Sequence, residues 1–215
     1  FNIENVCKSF NVDTLCLKAD VSLDSECKIL VDETIKKFNK VDILVNNAGT
    51  TKFANHQKLD ALTDEDFINI YRVNVIGPYQ MIRAVEPHMK KQKFGSVVNV
   101  SSIAGKTGIG SSIAYAASKG ALNTMTLSLA KALGPEIRVN TVCPGFIGTG
   151  WFLDRFGEET FNKIIKDQEN ITPLKRAGTP EDIAKSVIFF CLEGGEHITG
   201  ETLISDAGMH LSLPK

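Results

Sequence analysis

Three side chains in this sequence have the types and the spacing to pass a proton to or from a carbonyl or alcohol oxygen: Ser102, Tyr115 and Lys119. Tyr115 and Lys119 stand at i and i+4, so on a helix they share one face. A free phenol titrates near ~10, too high to give up a proton readily at neutral pH. A neighbouring ammonium favours the phenolate, so Lys119 is expected to lower that value. Tyr115 then works as general acid or base, and Ser102 donates a hydrogen bond to the same substrate oxygen. Standing alone, Tyr-x-x-x-Lys is an ordinary amphipathic pair. The serine ahead of it and the motifs below turn the reading toward chemistry.

These side chains need elements to hold them. Val97, Val98 and Val100 form a short apolar run with the look of a buried strand, which turns polar at Ser101 and Ser102. Gly105, Gly108 and Gly110 mark a loop. Ala114, Ala116, Ala117 and Ala121 favour a helix from near Ser112 to about Leu133. The strand end and the helix start would bring a hydroxyl, a phenol and an ammonium to one small site.

Other strands break in the same polar way. Asp42 to Val45 runs into Asn46-Asn47-Ala48-Gly49, where small residues let the backbone approach a ligand and the asparagines can tie strands together. Ile137 to Val142 breaks at Pro144-Gly145-Phe146-Ile147-Gly148-Thr149, whose backbone and Thr149 hydroxyl can hold a carboxamide. Asn74 lies inside a predicted helix over 64–91, where Asn is disfavoured; it is either a solvated helix residue or one in a distorted turn facing the site. Thr63 with Asp66 caps that helix, and Pro87 is expected to kink or end it.

Upstream, residues 1–11 carry a weak helical pattern. Thr14 to Leu17 reads as a strand, and Ser22 as the N-cap of a helix with Asp24 and Glu26 in its first turn. Downstream, residues 146–178 are mixed, with a helix expected over 158–169. Thr179-Pro180-Glu181-Asp182 starts another helix, and Thr202 to Ile204 is a last strand before Asp206-Ala207-Gly208. Short apolar strands alternating with amphipathic helices imply a doubly wound parallel sheet, a three-layer α/β/α architecture of Rossmann-like type. Ligands in such sheets bind at the carboxyl ends of the strands, which is where the polar breaks fall.

Composition sets the class. The 215 residues are 43% hydrophobic and 23% charged, which suits one globular domain over 1–215 with a sizeable core. The net charge of −1 gives no reason to expect nucleic acid or a membrane surface as partner. Cys7, Cys16, Cys27, Cys143 and Cys191 are odd in number and scattered, which predicts reduced, buried thiols in a cytoplasmic setting. No metal site is expected.

Taken in order, Asn46-Asn47-Ala48-Gly49, Asn74, Ser102, Tyr115-x-x-x-Lys119 and Pro144-Gly145 with Thr149 resemble the short-chain dehydrogenase/reductase family, over about 20–208. The resemblance implies an NAD(P)-dependent oxidoreductase moving a hydride between nicotinamide and a carbonyl or secondary alcohol. Tyr115 would be the acid/base, and Lys119 would lower its pKa and bind the nicotinamide ribose. Ser102 would orient the substrate oxygen, and Asn74 would hold a water in a proton relay. Asp20 and Val21 would border the adenine; Asn46, Ala48 and Gly49 would line the cofactor channel; Pro144, Gly145, Ile147 and Thr149 would complete it. The segment 147–178 would act as a lid that sets the substrate. A homotetramer is the family's usual assembly.

The stretches 174–183 and 199–208 look similar to 3-oxoacyl-[acyl-carrier-protein] reductases of fatty acid biosynthesis, with an acyl-carrier-bound carbonyl as substrate. A sugar or other secondary alcohol dehydrogenase, and a non-catalytic nucleotide-binding scaffold, stay open. One departure is visible. The family's opening strand, its Thr-Gly-x-x-x-Gly-x-Gly loop, helix and second strand have no counterpart ahead of Asp20. About 40 residues, the size of one β-α-β unit, are therefore expected to precede Phe1. Either the chain is shortened or the sequence omits a disordered start. The second is the expectation, since a chain without its central strand would struggle to fold. The choice between NAD and NADP lies in that segment.

Overall fold

The computed structural model describes residues 3–212. Its sheet holds β1 (Ile43–Asn46), β2 (Gly95–Val100), β3 (Ile137–Pro144) and β4 (Thr202–Ser205), all parallel and adjacent in chain order. Val98 sits level with Val45 on one side and Asn140 on the other, so the strands end together and raise one polar rim. Alternation along β2 and β3 splits the core in two. Val97 and Val139 join a cluster with Cys27, Met81, Ile82, Val85 and Leu133. Val98 and Val142 point the other way, onto Val187 and Phe190.

The helices follow that division. α2 (Asp24–Phe38), α4 (Gly77–Gln92) and α6 (Ile113–Leu133) supply the first cluster; α8 (Pro180–Cys191) supplies the second. The sheet is thus covered on both faces, as the alternating pattern implies. α3 (Asp64–Tyr71) precedes α4, α5 (Ala104–Thr107) fills the loop between β2 and α6, and α7 (Gly150–Ile171) lies between β3 and α8. α1 (Ile3–Ser9) lies within the stretch expected to be helical, whose first residues, Phe1 and Asn2, lie outside the described ones. Among the described residues no helix is long and apolar enough to cross a membrane.

Several local expectations need correction. Thr14 to Leu17 is not a strand: no described strand lies beside it, and without a ladder partner its backbone takes no regular form. Cys16 within it is accordingly exposed, while Cys27, Cys143 and Cys191 are buried; all five thiols are free. Ser22 does not cap α2. Its N–H is taken by Asp20 Oδ1 at 2.9 Å, a local turn that moves the N-cap to Leu23. Pro87 neither ends nor breaks α4, which runs on to Gln92; Pro87 is exposed, so water can serve the carbonyl it leaves free. The helix expected over 158–169 is the second half of α7. Gly157, at φ 75° and ψ 165°, interrupts it and blurs the periodicity ahead of it.

The capped helix over 64–91 is two helices. The Thr63–Asp66 capping box starts α3 as expected. A π-helical turn at Arg72–Ile76 then separates α3 from α4, with Asn74 in its middle and wholly buried. Such one-residue widenings of a helix gather at functional sites.

Candidate active site

The end of β2 and the start of α6 build the site together. Ser112 caps α6 and accepts the Tyr115 N–H at 3.2 Å, so the tyrosine sits at the third helical position with its backbone fixed. α5 lies directly against the next turn. A Cβ on Gly105 would stand 2.5 Å from the Lys119 carbonyl carbon and 2.6 Å from the Gly120 nitrogen. Only glycine permits that approach, and through it the loop carrying Ser102 reaches the helix carrying Tyr115 and Lys119.

Ser101 and Ser102 divide their duties. Ser101 Oγ is buried and donates to the Lys119 carbonyl at 3.1 Å. Ser102 Oγ accepts the Ala104 N–H at 3.1 Å and lies near enough to the Tyr115 hydroxyl to draw the phenol's pKa down. Ser102, the one chosen from the sequence, is therefore the serine that meets the phenol. Both residues line a cavity of about 800 Å³ over the strand ends.

The electrostatics differ from the sequence expectation. Burial pushes the Tyr115 phenol above its ordinary value, and the Ser102 hydroxyl only partly opposes this. Lys119 does not lower it. Its Nζ lies 5.7 Å from the centre of the Tyr115 ring and donates to the Val100 carbonyl at 2.9 Å. The ammonium is itself desolvated, which brings it down to about 8. The phenol therefore stays protonated at neutral pH, the form that donates a proton.

Asn74 is committed on all sides. Its Oδ1 accepts the Thr50 N–H at 2.8 Å, and its Nδ2 donates to the Thr50 carbonyl and to Ser118 Oγ at 2.9 and 3.0 Å. Ser118 Oγ in turn donates to the Tyr115 carbonyl at 2.7 Å. The π turn is thus tied to the tyrosine's own helical turn, a link through Ser118 that the sequence reading did not include. With both Nδ2 hydrogens spent, the Asn74 side chain can offer a water only the second lone pair of Oδ1.

The Asn46 side chain is buried and turned toward its neighbouring strand. Its Nδ2 donates to Asn99 Oδ1 at 2.9 Å, and Asn99 Nδ2 reaches Thr126 Oγ1 at 2.9 Å, so a buried polar chain joins β1, β2 and α6. This is the strand tie that asparagine at this position was expected to make. Ala48 and Gly49 are exposed beyond it. The Cβ position of Gly49 lies 3.5 Å from both Asn74 Oδ1 and Lys119 Nζ, so bare backbone flanks the ammonium. Asp20 and Val21 do not reach the cavity. The Asp20 carboxylate accepts the Ser22 N–H, and that bond holds it below the usual carboxylate range. The Val21 carbonyl is taken by Gln80 Nε2 at 2.8 Å.

Pro144, Gly145, Ile147 and Thr149 do line the cavity. Much of their backbone is already used. The Pro144 carbonyl accepts from Ile103, the Gly145 N–H goes to Ser205, and the Gly148 N–H goes to Gly178. Ile147 pairs with Gly178 in a single parallel bridge, an arrangement that turns its own N–H and carbonyl away from Gly178. Thr149 caps α7 by position only, with no hydrogen bond from its side chain to the helix.

The residues present fit a nicotinamide nucleoside. An ammonium has three donors, and Lys119 spends one on Val100 among the described residues. Two remain beside the side-chain-free backbone at Gly49, a donor set suited to a ribose diol. The Thr149 hydroxyl and the Ile147 backbone stand on the cavity wall, where a carboxamide would need partners.

Comparison with known proteins follows from this geometry. A family model described as Enoyl-(Acyl carrier protein) reductase matches residues 2–210. A granaticin polyketide synthase protein of Streptomyces violaceoruber, named as its second ketoacyl reductase, is 42% identical over 93% of this chain and 78% of its own. The 3-oxoacyl-[acyl-carrier-protein] reductase FabG of Thermotoga maritima is 36% identical over 86% of this chain and 72% of its own. A crystal structure assigned to the short-chain dehydrogenases/reductases, from Burkholderia xenovorans, superposes with a TM-score of 0.89 at 40% identity, covering 97% of this chain and 81% of the other. ElxO with NADP bound superposes at 0.82 with 28% identity, covering 97% and 84%.

Proposed function

The chain belongs to the short-chain dehydrogenase/reductase family, and from that premise we propose that it reduces the keto group of a 3-oxoacyl thioester held on an acyl carrier, with NADPH or NADH as hydride donor. The observation that carries this reading is that Ser102 and Tyr115 line one cavity together, with Lys119 Nζ 5.7 Å from the centre of the Tyr115 ring. The enzyme is an NAD(P)-dependent oxidoreductase, and the nicotinamide supplies or accepts the hydride.

The chain's own residues do the rest. Ser102 Oγ donates to the substrate oxygen and polarises the carbonyl. Tyr115 Oη delivers its proton to that oxygen as negative charge develops there. A phenol kept protonated by burial is prepared for that donation, which favours reduction over alcohol oxidation near neutral pH. Lys119 holds the ribose hydroxyls through its two remaining donors. Asn74 fixes Tyr115 through Ser118, and its turn offers backbone to a water that could resupply the proton. Gly49 and Ala48 border the cofactor's path, with Asp20 and Val21 toward its adenine end. Ile147 and Thr149, with Pro144 and Gly145, hold the carboxamide. The segment 147–178 covers the substrate.

The resemblance to FabG also supports a place in fatty-acid-type chain building, in one domain that works as a homotetramer in the cytoplasm. Half-exposed Ile68, Ile76, Tyr79 and Leu127 on the α3–α4 stretch and α6 give such an assembly apolar surface, and five free thiols suit a reducing compartment.

The test is oxidation of NADPH and NADH, followed by nicotinamide absorbance, with a 3-oxoacyl thioester and a panel of simple ketones and sugars. Turnover of the thioester and of no sugar is expected. Oxidation of a sugar with no ketone reduction would sink the reading.

A further inference from the structure

The cavity wall is built from residues the fold does not need elsewhere. The chain has 12 phenylalanines, and Phe53, Phe146, Phe152 and Phe156 gather at this one place. The rest of the interior is aliphatic. The core cluster under α2, α4 and α6 contains no aromatic residue, and the cluster under α8 contains only Phe190. An aliphatic lining would bury a hydrocarbon chain equally well, so the rings at the cavity call for a reason of their own.

Their arrangement supplies it. Phe53, Phe146 and Phe152 all line the cavity, with the Tyr115 ring as a fourth. They come from three separate segments: the loop after β1, the turn after β3 and the first turn of α7. Phe53 stands nearly perpendicular to both Phe152 and Phe156, at 81° and 87° with centroids 6.5 and 5.2 Å apart. Phe146 meets Phe152 at 4.8 Å and 56°. These are the edge-to-face and tilted geometries in which one ring's positive rim meets another's negative face. A flat ring entering the cavity would continue the same pattern.

We infer that Phe53, Phe146 and Phe152 select a ketone that carries an aromatic or conjugated ring near its carbonyl, in preference to one with a saturated chain. This rests on the ketone-reductase reading and narrows its substrate class. The ring would lie among the phenylalanines while the carbonyl oxygen stays on Ser102 and Tyr115. Ring contacts of this kind are worth about twofold to tenfold in affinity beyond the area they bury.

The experiment compares 4-phenylbutan-2-one with 4-cyclohexylbutan-2-one, which match in carbon skeleton and carbon count but differ in ring flatness and electronics. Dissociation constants come from ligand-observed NMR, and turnover comes from nicotinamide absorbance. The wild type is expected to bind the phenyl ketone about fivefold tighter, although the cyclohexyl compound has more apolar surface to bury. Phe152→Leu and, separately, Phe53→Leu keep apolar volume and remove a ring, and each should bring the ratio toward one. Equal or tighter binding of the cyclohexyl ketone by the wild type would overturn the inference, as would a preference that survives in both variants. The two readings fail separately: turnover of both ketones without preference sinks only the ring selection, while a phenyl preference in binding with no turnover of either ketone or of the 3-oxoacyl thioester sinks only the reductase.

Discussion

Ser102 and Tyr115 on the cavity floor, and Lys119 one turn along the same helix as Tyr115, are held by directed bonds from strand ends and from the capped first turn of α6. Along the wall, Phe53, Phe146 and Phe152 meet through ring contacts between a loop, a turn and a helix start. The floor uses short hydrogen bonds of fixed angle, which leave little play in where an oxygen can sit. The wall uses nondirectional burial and weak quadrupole preferences, which tolerate a range of shapes. One region is therefore suited to chemistry that cannot vary and the other to a substrate that can. Substitutions on the floor should move kcat or the fold, while substitutions on the wall should move KM.

The largest effect expected belongs to Tyr115. Tyr115→Phe keeps the ring and removes the hydroxyl proposed to deliver the proton. Loss of a general acid costs about 10²–10⁴ in rate. Cofactor affinity and melting temperature should change little, because the ring and its packing are kept. Steady-state kinetics with a reducible ketone decide it. Near-normal kcat would remove the floor's special status and with it the mechanism.

Gly105 tests whether the floor is as rigid as its contacts imply. Gly105→Ala places a methyl group within 3 Å of backbone atoms of Lys119 and Gly120, which cannot swing aside. Overpacking of this kind destabilises by about 1–3 kcal/mol. Stability to urea should fall by about 2 kcal/mol, and kcat should fall too, because α5 must lift Ser102 away from Tyr115. A variant as stable and active as the wild type would show that the floor flexes like the wall.

Much of the floor was legible in the sequence, because its determinants are local. Tyr115 and Lys119 share a face by spacing alone, Ser112 caps by residue type, and the strand ends announce themselves where valines give way to serines. What was not legible depended on distance. The Thr14–Leu17 strand failed because a strand exists only beside a partner, and local propensity says nothing about partners. The π turn hid inside an unbroken helical pattern, with Asn74 as its one oddity. The expected lowering of the Tyr115 pKa failed because adjacency does not reveal where an ammonium points, and burial outweighed it. The wall was almost invisible. Phe152 and Phe156 stand at helical spacing, a signal that was available, but Phe53 lies far ahead in the chain and nothing in its neighbourhood names its partners.

Buried Lys119 gives the floor a pH signature. Its folded value, about 8, lies below its unfolded value of 10.5. Between the two the unfolded chain binds more protons, so stability rises with pH. Below pH 8 the penalty for burying the ammonium is fully present. Integrated from pH 8 to 9, the gain is about 1 kcal/mol. Cys27, Cys143 and Cys191, all raised from 9 by burial, act in the opposite sense, and their unfolded thiols already titrate between pH 8 and 9, so together they offset the lysine in the wild type. Urea denaturation at pH 8 and 9 should show a change in stability that is more positive in the wild type than in Lys119→Met by about 1 kcal/mol. An identical slope in both proteins would place the pH dependence elsewhere.

The smallest effect expected is at the rim of the wall. The Arg155 guanidinium lies 4.3 Å from the centre of the Phe53 ring and 5.9 Å from that of Phe156. Phe53 belongs to the loop after β1 and Arg155 to α7, so this contact joins two segments that meet at the cavity. Loop and helix are each anchored elsewhere: the loop by Ala54 N–H to the Ser111 carbonyl at 2.9 Å, the far end of α7 by Leu174 N–H to the Ala207 carbonyl at 3.2 Å. Losing the contact should therefore loosen the wall without unfolding it. An exposed cation–π contact is worth about 0.5–1 kcal/mol. Arg155→Ala should raise KM for the ketone by about twofold to fivefold, leave kcat unchanged, and shift the melting temperature by no more than about two degrees. Arg155→Lys keeps the charge but loses the flat guanidinium that stacks on the ring, so its KM should fall between the two. If Arg155→Ala instead lowered kcat with KM constant, the wall would be acting on the chemistry, and the division between a fixed floor and an adaptable wall would not hold.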